Sequence, residues 1–148
     1  KKFKADKVLI ATGSVPSTIP DIVIDEKNIV SSTGALEFEK VPKKLAVIGG
    51  GYIGLELGSV WKRLGAEVTV IEFSDTLVPT MDKDIANIFH GTLSKQGINF
   101  MLSTKVESAE NKKEYVQIKC LNLMNNKSNL LGFAPSFYVN HQTKGFQN

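Results

Sequence analysis

Two short apolar runs, separated by a segment of helical periodicity, organise the middle of the chain. The run at 45–48 ends in three glycines, and the run at 68–71 ends at Glu72. Continuous apolar runs of this length are typical of parallel strands buried on both faces. Between them, apolar residues recur every three or four positions and predict one buried helix face: Ile53, Leu57, Val60 and Leu64. Gly65 follows where a helix C-cap is expected, so the pattern predicts a βαβ unit.

The same alternation continues downstream. A second helix is predicted at 82–96, with Asp82 or Thr80 as its N-cap and Gly97 after its end. Its predicted apolar face contains Ile85, Phe89 and Leu93. A third strand follows at 98–102. Strands that alternate with helices predict a doubly wound α/β sheet.

The pattern changes after this strand. Residues 105–109 and 115–118 alternate with period two, which predicts a hairpin or a β-meander. The apolar run at 7–11, followed by a turn, predicts one more buried strand. From 121 to 148 no clear period remains, and we expect an irregular tail. The fold class predicted is α/β: an incomplete Rossmann-like parallel sheet with an antiparallel β-meander.

Composition narrows the function classes. A chain of 148 residues can bury one core, and its net charge of +3 comes from scattered basic residues. Scattered charge argues against a nucleic-acid or membrane-surface role, which needs clustered basic residues. Cys120 is the single cysteine, so an intramolecular disulfide is excluded and a reducing compartment is expected. We expect no signal peptide, no membrane span and no zinc site.

The glycines after the first βαβ strand form a G-x-G-x-x-G motif at Gly49, Gly51 and Gly54. In this motif the first glycine permits the tight turn and the second lets the backbone approach a pyrophosphate. The third allows close packing of helix and strand. The helix N-terminus then offers free N–H groups and its positive dipole end to the diphosphate. The motif alone leaves open whether the nucleotide is NAD or FAD, or whether the glycines form a turn with no ligand.

Glu72, at the end of the second βαβ strand, favours NAD. Its carboxylate can accept hydrogen bonds from the ribose hydroxyls and would repel the additional phosphate of NADP. Residues 73–75 supply no Arg or Lys that could neutralise such a phosphate. The sequence therefore predicts NAD over NADP.

Several stretches resemble the dihydrolipoamide dehydrogenases, flavoproteins of the pyridine-nucleotide disulfide oxidoreductase family. These stretches are 29–36, 47–56, 58–73, 79–82 and 95–97, within roughly residues 5 to 119. The resemblance is closer than to glutathione or mercuric reductase. It implies NAD and FAD as cofactors and an enzyme that oxidises dihydrolipoamide through a redox disulfide and FAD, with NAD as acceptor.

The resemblance also implies roles for individual residues. Tyr52 and Ile53 would join the three motif glycines and Glu72 in binding NAD. Glu56 resembles a glutamate that faces the nicotinamide, and Thr12 and Gly13 resemble a turn near the flavin. The implied domains are a closing strand of an FAD domain (1–20), a linker (21–42), the NAD-binding domain (43–120) and a divergent tail (121–148).

The departures from the family pattern set limits. The family's cysteine pair and catalytic histidine find no counterpart here, and His90 and His141 suit packing or surface roles. We expect no catalytic residue in this chain. We also find no parallel strand after Cys120, although the family's NAD domain has one there, so an open sheet edge is expected.

Three hypotheses follow from this combination. The chain is the NAD-binding part of a dihydrolipoyl dehydrogenase, a truncated module that binds NAD or a partner without turnover, or part of a related NAD-linked disulfide reductase. The first implies lipoyl domains of 2-oxo acid dehydrogenase complexes and a second subunit of a homodimer as partners, without nucleic acid or membrane. It implies the mitochondrial matrix or the bacterial cytoplasm as the compartment.

Overall fold

The computed structural model describes residues 2–11, 13, 19–112 and 114–133, together with the backbone of 137–139. Its elements in chain order are β1 (Ile29–Val30), a short 3₁₀ helix (Gly34–Leu36), β2 (Lys44–Ile48), α1 (Tyr52–Arg63), β3 (Glu67–Ile71), α2 (Lys83–Lys95), β4 (Asn99–Met101), β5 (Thr104–Asn111), β6 (Val116–Asn122), β7 (Lys127–Phe133) and β8 (Phe137–Val139).

The strands form two sheets. The first is parallel, with the order β1-β8-β2-β3-β4. The second is antiparallel, with the order β5-β6-β7, and carries a bulge between Val106 and Ser108. The predicted fold class, a Rossmann-like parallel sheet with an antiparallel β-meander, is confirmed.

The parallel sheet is buried on both faces, which explains why its strands read as continuous apolar runs. One face packs against the two helices through Leu45, Val47, Val68 and Val70. The other face packs against the meander through Ala46, Ile48 and Ile71, which meet Val116, Ile118 and Cys120. The helices and the meander therefore lie on opposite sides of the sheet.

The predicted helix α1 is confirmed, and its predicted apolar face is confirmed in part, because Ile53 and Leu57 are half-buried against the core. Val60 and Leu64 are exposed, whereas the buried residues are Gly54, Leu55, Gly58 and Trp61. Two of these are glycines, which carry no apolar side chain and so give no hydrophobic signal, yet they let the helix lie close to the strands. Gly65 has the left-handed φ of 111° expected of a helix C-cap.

The predicted helix α2 is also confirmed. Asp82 is its N-cap, because its Oδ1 accepts the N–H groups of Asp84 at 2.9 Å and of Ile85 at 3.4 Å. Of the predicted apolar face, Leu93 is buried, whereas Ile85 and Phe89 remain 50% and 36% exposed. These two side chains line a groove between the helices instead of the core.

The expected irregular tail is wrong for much of its length. Residues 127–133 form β7, the third strand of the meander, and 137–139 form β8. β8 inserts in parallel between β1 and β2, so it supplies the strand that the sequence analysis did not find. The sequence hides β7 because alternation along 127–133 is weak, and most of its side chains are exposed. The expected open edge beside β2 does not exist.

The buried strand predicted at 7–11 is wrong for this structure. Val8, Leu9 and Ile10 lie outside any strand and are 78–90% exposed. A strand forms only where a neighbouring strand accepts its hydrogen bonds, and none is present beside this segment in the described part of the chain. The segment predicted as a linker, 21–42, is not only a linker, because it contains β1 of the parallel sheet.

Within the described residues, none of the helices is long and apolar enough to cross a bilayer.

Candidate functional site: a glycine loop and a buried carboxylate

The glycine loop leads directly from β2 into α1. Gly49 has a φ of 104°, and its N–H donates to the carbonyl of Ile71 at 2.9 Å. Gly51 is the N-cap of α1, with no side chain capping the helix and no acidic residue in its first turn. No side chain therefore caps the N–H groups at this helix start, where the helix dipole is positive.

Glu72 lies beside the loop at the end of β3 and is buried. Its Oε2 accepts the N–H of Gly50 at 2.5 Å, and its Oε1 accepts the N–H of Ser74 at 2.7 Å. The backbone of Glu72 is also held by two hydrogen bonds. Its N–H donates to the carbonyl of Met101, and its carbonyl accepts the N–H of Thr104, both at 2.9 Å. The carboxylate thus has a fixed direction, and each oxygen keeps acceptor capacity for a further donor.

A strap formed by residues 74–81 crosses the other side of the loop. The N–H of Val78 donates to the carbonyl of Gly50 at 2.9 Å, and Leu77 is only 1% exposed. Val78 has a φ of 41°, which is a strained conformation for a β-branched residue. Such a residue persists only where its surroundings hold it, so the strap is a fixed part of the site. Sequence reasoning missed it because it has no periodic pattern.

A cavity of about 220 Å³ adjoins the glycine loop on the meander side. It is lined by Ile19, Ile48, Gly49, Ile71, Glu72, Phe73, Thr104, Lys105 and Val106. Its walls are mainly apolar, and Glu72 is one of the lining residues. Lys105 is a cation that the sequence analysis did not connect with Glu72, because it arrives from β5.

A larger groove of about 810 Å³ separates α1 from α2. Tyr52 and Glu56 of α1 line it, opposite Ile85 and Phe89 of α2. Both Tyr52 and Glu56 are exposed.

The structure therefore divides the predicted site residues. It brings together Gly49, Gly51, Gly54 and Glu72, with Ile53 half-buried in the first turn of α1. Tyr52 and Glu56 line the groove instead of the cavity beside Glu72. Gly13 lies in exposed chain with a φ of 76°, and Thr12 is outside the described residues.

Cys120 and His90 have packing roles, whereas His141 lies outside the described residues. Burial raises the pKa of the Cys120 thiol to about 11, and the neighbouring Glu107 carboxylate adds to that rise. The thiol is therefore protonated at neutral pH and is a poor nucleophile. His90 packs edge-on against Phe100, with ring centroids 4.7 Å apart.

The sequence profile of the pyridine nucleotide-disulphide oxidoreductases matches residues 1–132. The chain belongs to this family. FAD and NAD are the cofactors of the family, so the expected cofactors are confirmed at that level.

Curated relatives of the chain include dihydrolipoyl dehydrogenases and leghemoglobin reductases. The chain is 55% identical over 115 residues to the mitochondrial dihydrolipoyl dehydrogenase 1 of Arabidopsis thaliana, covering 78% of this chain and 23% of the relative. It is 53% identical over 125 residues to the mitochondrial enzyme of Schizosaccharomyces pombe, covering 84% and 24%. A leghemoglobin reductase of Glycine max is 54% identical over 115 residues, covering 78% and 22%. The chain spans less than a quarter of the length of these relatives, and the resemblance to dihydrolipoamide dehydrogenases is confirmed.

Solved structures of the family share the fold. The HOCl-induced flavoprotein disulfide reductase of Escherichia coli has a TM-score of 0.75 at 28% identity, covering 89% of this chain and 29% of that protein. The NAD-dependent persulfide reductase of A. fulgidus has a TM-score of 0.68 at 29% identity, covering 90% and 25%.

Proposed function

We propose that this chain is the NAD-binding part of a dihydrolipoyl dehydrogenase. The single observation that carries the proposal is the buried Glu72 carboxylate, fixed by Gly50 and Ser74 beside an uncapped helix start. The carboxylate satisfies the N–H groups of Gly50 and Ser74, and the N–H groups at the start of α1 have no side-chain cap. A dinucleotide needs both, because it presents a ribose diol next to a diphosphate.

The start of α1 is the proposed diphosphate site. The N–H groups of Tyr52 and Ile53 lie at this end, where no side chain of the helix competes for them. Gly51 offers no Cβ that would keep the phosphate oxygens away. The helix dipole adds attraction for the negative charge.

The cavity beside Glu72 is the proposed adenosine site. Ile48, Ile71 and Val106 provide apolar walls that suit a flat base. Glu72 then accepts hydrogen bonds from the ribose hydroxyls at the edge of this cavity. A phosphate on the 2′-oxygen would face the carboxylate, which supports NAD over NADP.

Glu56 and the turn at Thr12 and Gly13 have proposed roles at the nicotinamide end of NAD. In our proposal Glu56 helps to place the nicotinamide, and the turn lies close to FAD in the complete enzyme. When bound, FAD supplies the electron transfer between a dithiol and NAD. The residues of this chain bind and orient the nucleotide. They do not supply the redox disulfide, because a single cysteine cannot form an intramolecular pair.

The curated relatives support the proposed compartment, and the proposed partners come from the resemblance to dihydrolipoamide dehydrogenases. Several of these are named as mitochondrial dihydrolipoyl dehydrogenases, which supports the mitochondrial matrix over the bacterial cytoplasm. Lipoyl domains of 2-oxo acid dehydrogenase complexes are the proposed donors of the dithiol. A second subunit is the proposed partner in a homodimer.

A titration with NADH tests the nucleotide site. Glu72→Ala should weaken NADH binding by about 10- to 100-fold, the usual effect of losing hydrogen bonds to a charged group. Glu67→Ala is the matched control, because Glu67 begins the same strand at its far end and is exposed. Equal NADH affinity in wild type and Glu72→Ala would contradict the proposed site.

Two measurements separate the alternatives. An immunoblot against residues 43–75 gives the length of the protein in its source, and a band of this chain's own size would favour a binding module without turnover. An assay of the complete polypeptide with NAD and either dihydrolipoamide or a persulfide distinguishes the proposed dehydrogenase from a related disulfide reductase.

A further inference from the structure

Gly50 occupies a position that the dinucleotide motif leaves unspecified, yet it is the most enclosed residue of the loop. A Cβ built on Gly50 would lie 2.7 Å from Cδ2 of Leu77, and 3.2 Å and 3.3 Å from Cγ and Cβ of Glu72. Leu77 is 1% exposed, so its methyl group has little room to move. The space beside Gly50 is therefore defined by the strap on one side and by the carboxylate residue on the other.

Both polar groups of Gly50 are also in use. Its N–H donates to Oε2 of Glu72 at 2.5 Å, and its carbonyl accepts the N–H of Val78 at 2.9 Å. Strap, loop and carboxylate are therefore linked in sequence. The Leu77 side chain occupies the space that a Cβ of Gly50 would need, Val78 donates to the Gly50 carbonyl, and Gly50 donates to Glu72.

We propose that Leu77, acting through Gly50, positions the Glu72 carboxylate and thereby determines the preference for NAD over NADP. The proposal rests on the proposed function, because it concerns the same nucleotide site. Leu77 touches no part of the nucleotide in this scheme and is a positioning residue.

The physical reason is the geometry that ribose recognition requires. A carboxylate binds two neighbouring hydroxyl groups well only when its direction is fixed before the ligand arrives. If Gly50 moves away, Oε2 loses its donor and the Glu72 side chain can rotate. It then binds the diol less well and repels a 2′-phosphate less strongly. NADH affinity and discrimination against NADPH should therefore fall together.

The test is a double-mutant cycle in the complete polypeptide as its source produces it. Dissociation constants for NADH and NADPH are measured by calorimetry for wild type, Gly50→Ala, Leu77→Ala and the double variant, alongside thermal unfolding. Gly91→Ala is the matched control, because Gly91 lies in α2 with nothing within 4 Å of an added Cβ.

We expect Gly50→Ala to weaken NADH binding by about tenfold and to narrow the ratio between the two dissociation constants. The double variant should recover at least half of the loss in NADH affinity, measured on a logarithmic scale. The reason is that Leu77→Ala removes the methyl group nearest to the added Cβ. Gly91→Ala should leave both dissociation constants unchanged.

Other results would overturn the proposal. A wild-type ratio in Gly50→Ala, or additive effects in the double variant, would show that Leu77 does not act through Gly50, while the proposed NAD site would stand. If Leu77→Ala lowers thermal stability but leaves the ratio of the NADPH and NADH dissociation constants unchanged, Leu77 is a core residue with no positioning role. If Gly50→Ala does not fold, Leu77→Ala provides the test. The proposal requires that this variant narrow the ratio of the NADPH and NADH dissociation constants. A wild-type protein without NADH binding would refute both the inference and the proposed function.

Discussion

At the scale of single residues, carboxylates that accept backbone N–H groups recur where the chain changes direction. Asp82 does so at the start of α2, and Glu72 does so at the glycine loop. Asp25 does so before β1, where its Oδ1 accepts from Lys27, Asn28 and Ile29, each at 2.9 Å. These acceptors satisfy N–H groups that no strand or helix partner reaches.

Asp25 should make stability depend on pH. Partial burial by itself raises its pKa, but the three N–H donors and the amide of Asn111 outweigh that effect and hold the pKa below its ordinary value. A lowered pKa in the folded state stabilises the fold above the unfolded-state pKa, and this stability is lost as pH falls through the folded value. Asp25→Ala should therefore cost up to about 1 kcal/mol at pH 7, since Asp25 is exposed and its charge screened.

The measurement is urea unfolding of wild type and Asp25→Ala from pH 7 down to pH 3, with Asp6→Ala as an exposed control. The difference between wild type and Asp25→Ala should shrink below about pH 4. A difference that grows on acidification would contradict the assigned direction.

Trp61 connects α1 to the segment that precedes β2. Its indole N–H donates to the carbonyl of Ala35 at 3.1 Å, and its ring packs against Phe38 at 5.3 Å between centroids. Trp61→Phe keeps an aromatic ring but leaves this carbonyl without its donor, which should cost about 1–3 kcal/mol. Urea unfolding of wild type and Trp61→Phe measures this loss of stability. Equal unfolding midpoints would show that the hydrogen bond does not stabilise the fold.

At the scale of elements, α1 packs against the sheet and, in the proposed function, binds the diphosphate. Gly58 faces β2 and β3, where an added Cβ would lie 3.5 Å from Val47 and 3.6 Å from Val68. These are ordinary contact distances, so the site holds a methyl group but nothing larger.

Gly58→Ala should therefore stabilise the protein by about 0.5–1 kcal/mol, because alanine favours the helix over glycine. Gly58→Leu should destabilise it, since the helix would be forced from the sheet. Thermal unfolding of both variants decides the matter. A destabilised Gly58→Ala would mean that helix and sheet lie closer than the structure indicates.

The elements that sequence predicted are those with their own periodic signal. The strand before Gly49, the helix after it and the strand ending at Glu72 could be predicted because local pattern and tertiary burial agree. The same local signals placed Gly49, Gly51, Gly54 and Glu72 in one site. β7 and β8 were not predicted because their pairing with distant strands determines them, and the strap at 74–81 was missed because burial without periodicity leaves no pattern.

At the scale of the whole molecule, the meander covers one face of the parallel sheet and β8 closes the space between β1 and β2. Cys120 lies at the contact of sheet and meander and is the only cysteine of the chain. Its thiol can therefore report on the opening of this contact.

Iodoacetamide should react with Cys120 slowly in the native protein at pH 8 and completely in guanidinium chloride. Burial excludes the reagent, and a pKa of about 11 keeps the thiol protonated at this pH. The native rate should rise as the pH approaches 11. Rapid labelling of the native protein at pH 8, followed by mass spectrometry, would show that the meander does not cover the sheet.

The most direct test of the central claim is a crystal structure of the complete polypeptide with NADH. We predict diphosphate oxygens within hydrogen-bond distance of the N–H groups of Tyr52 and Ile53, ribose hydroxyls on Glu72, and the adenine in the cavity beside Val106. NADH with its adenosine end in the groove between α1 and α2, or bound without contact to Glu72, would contradict the account.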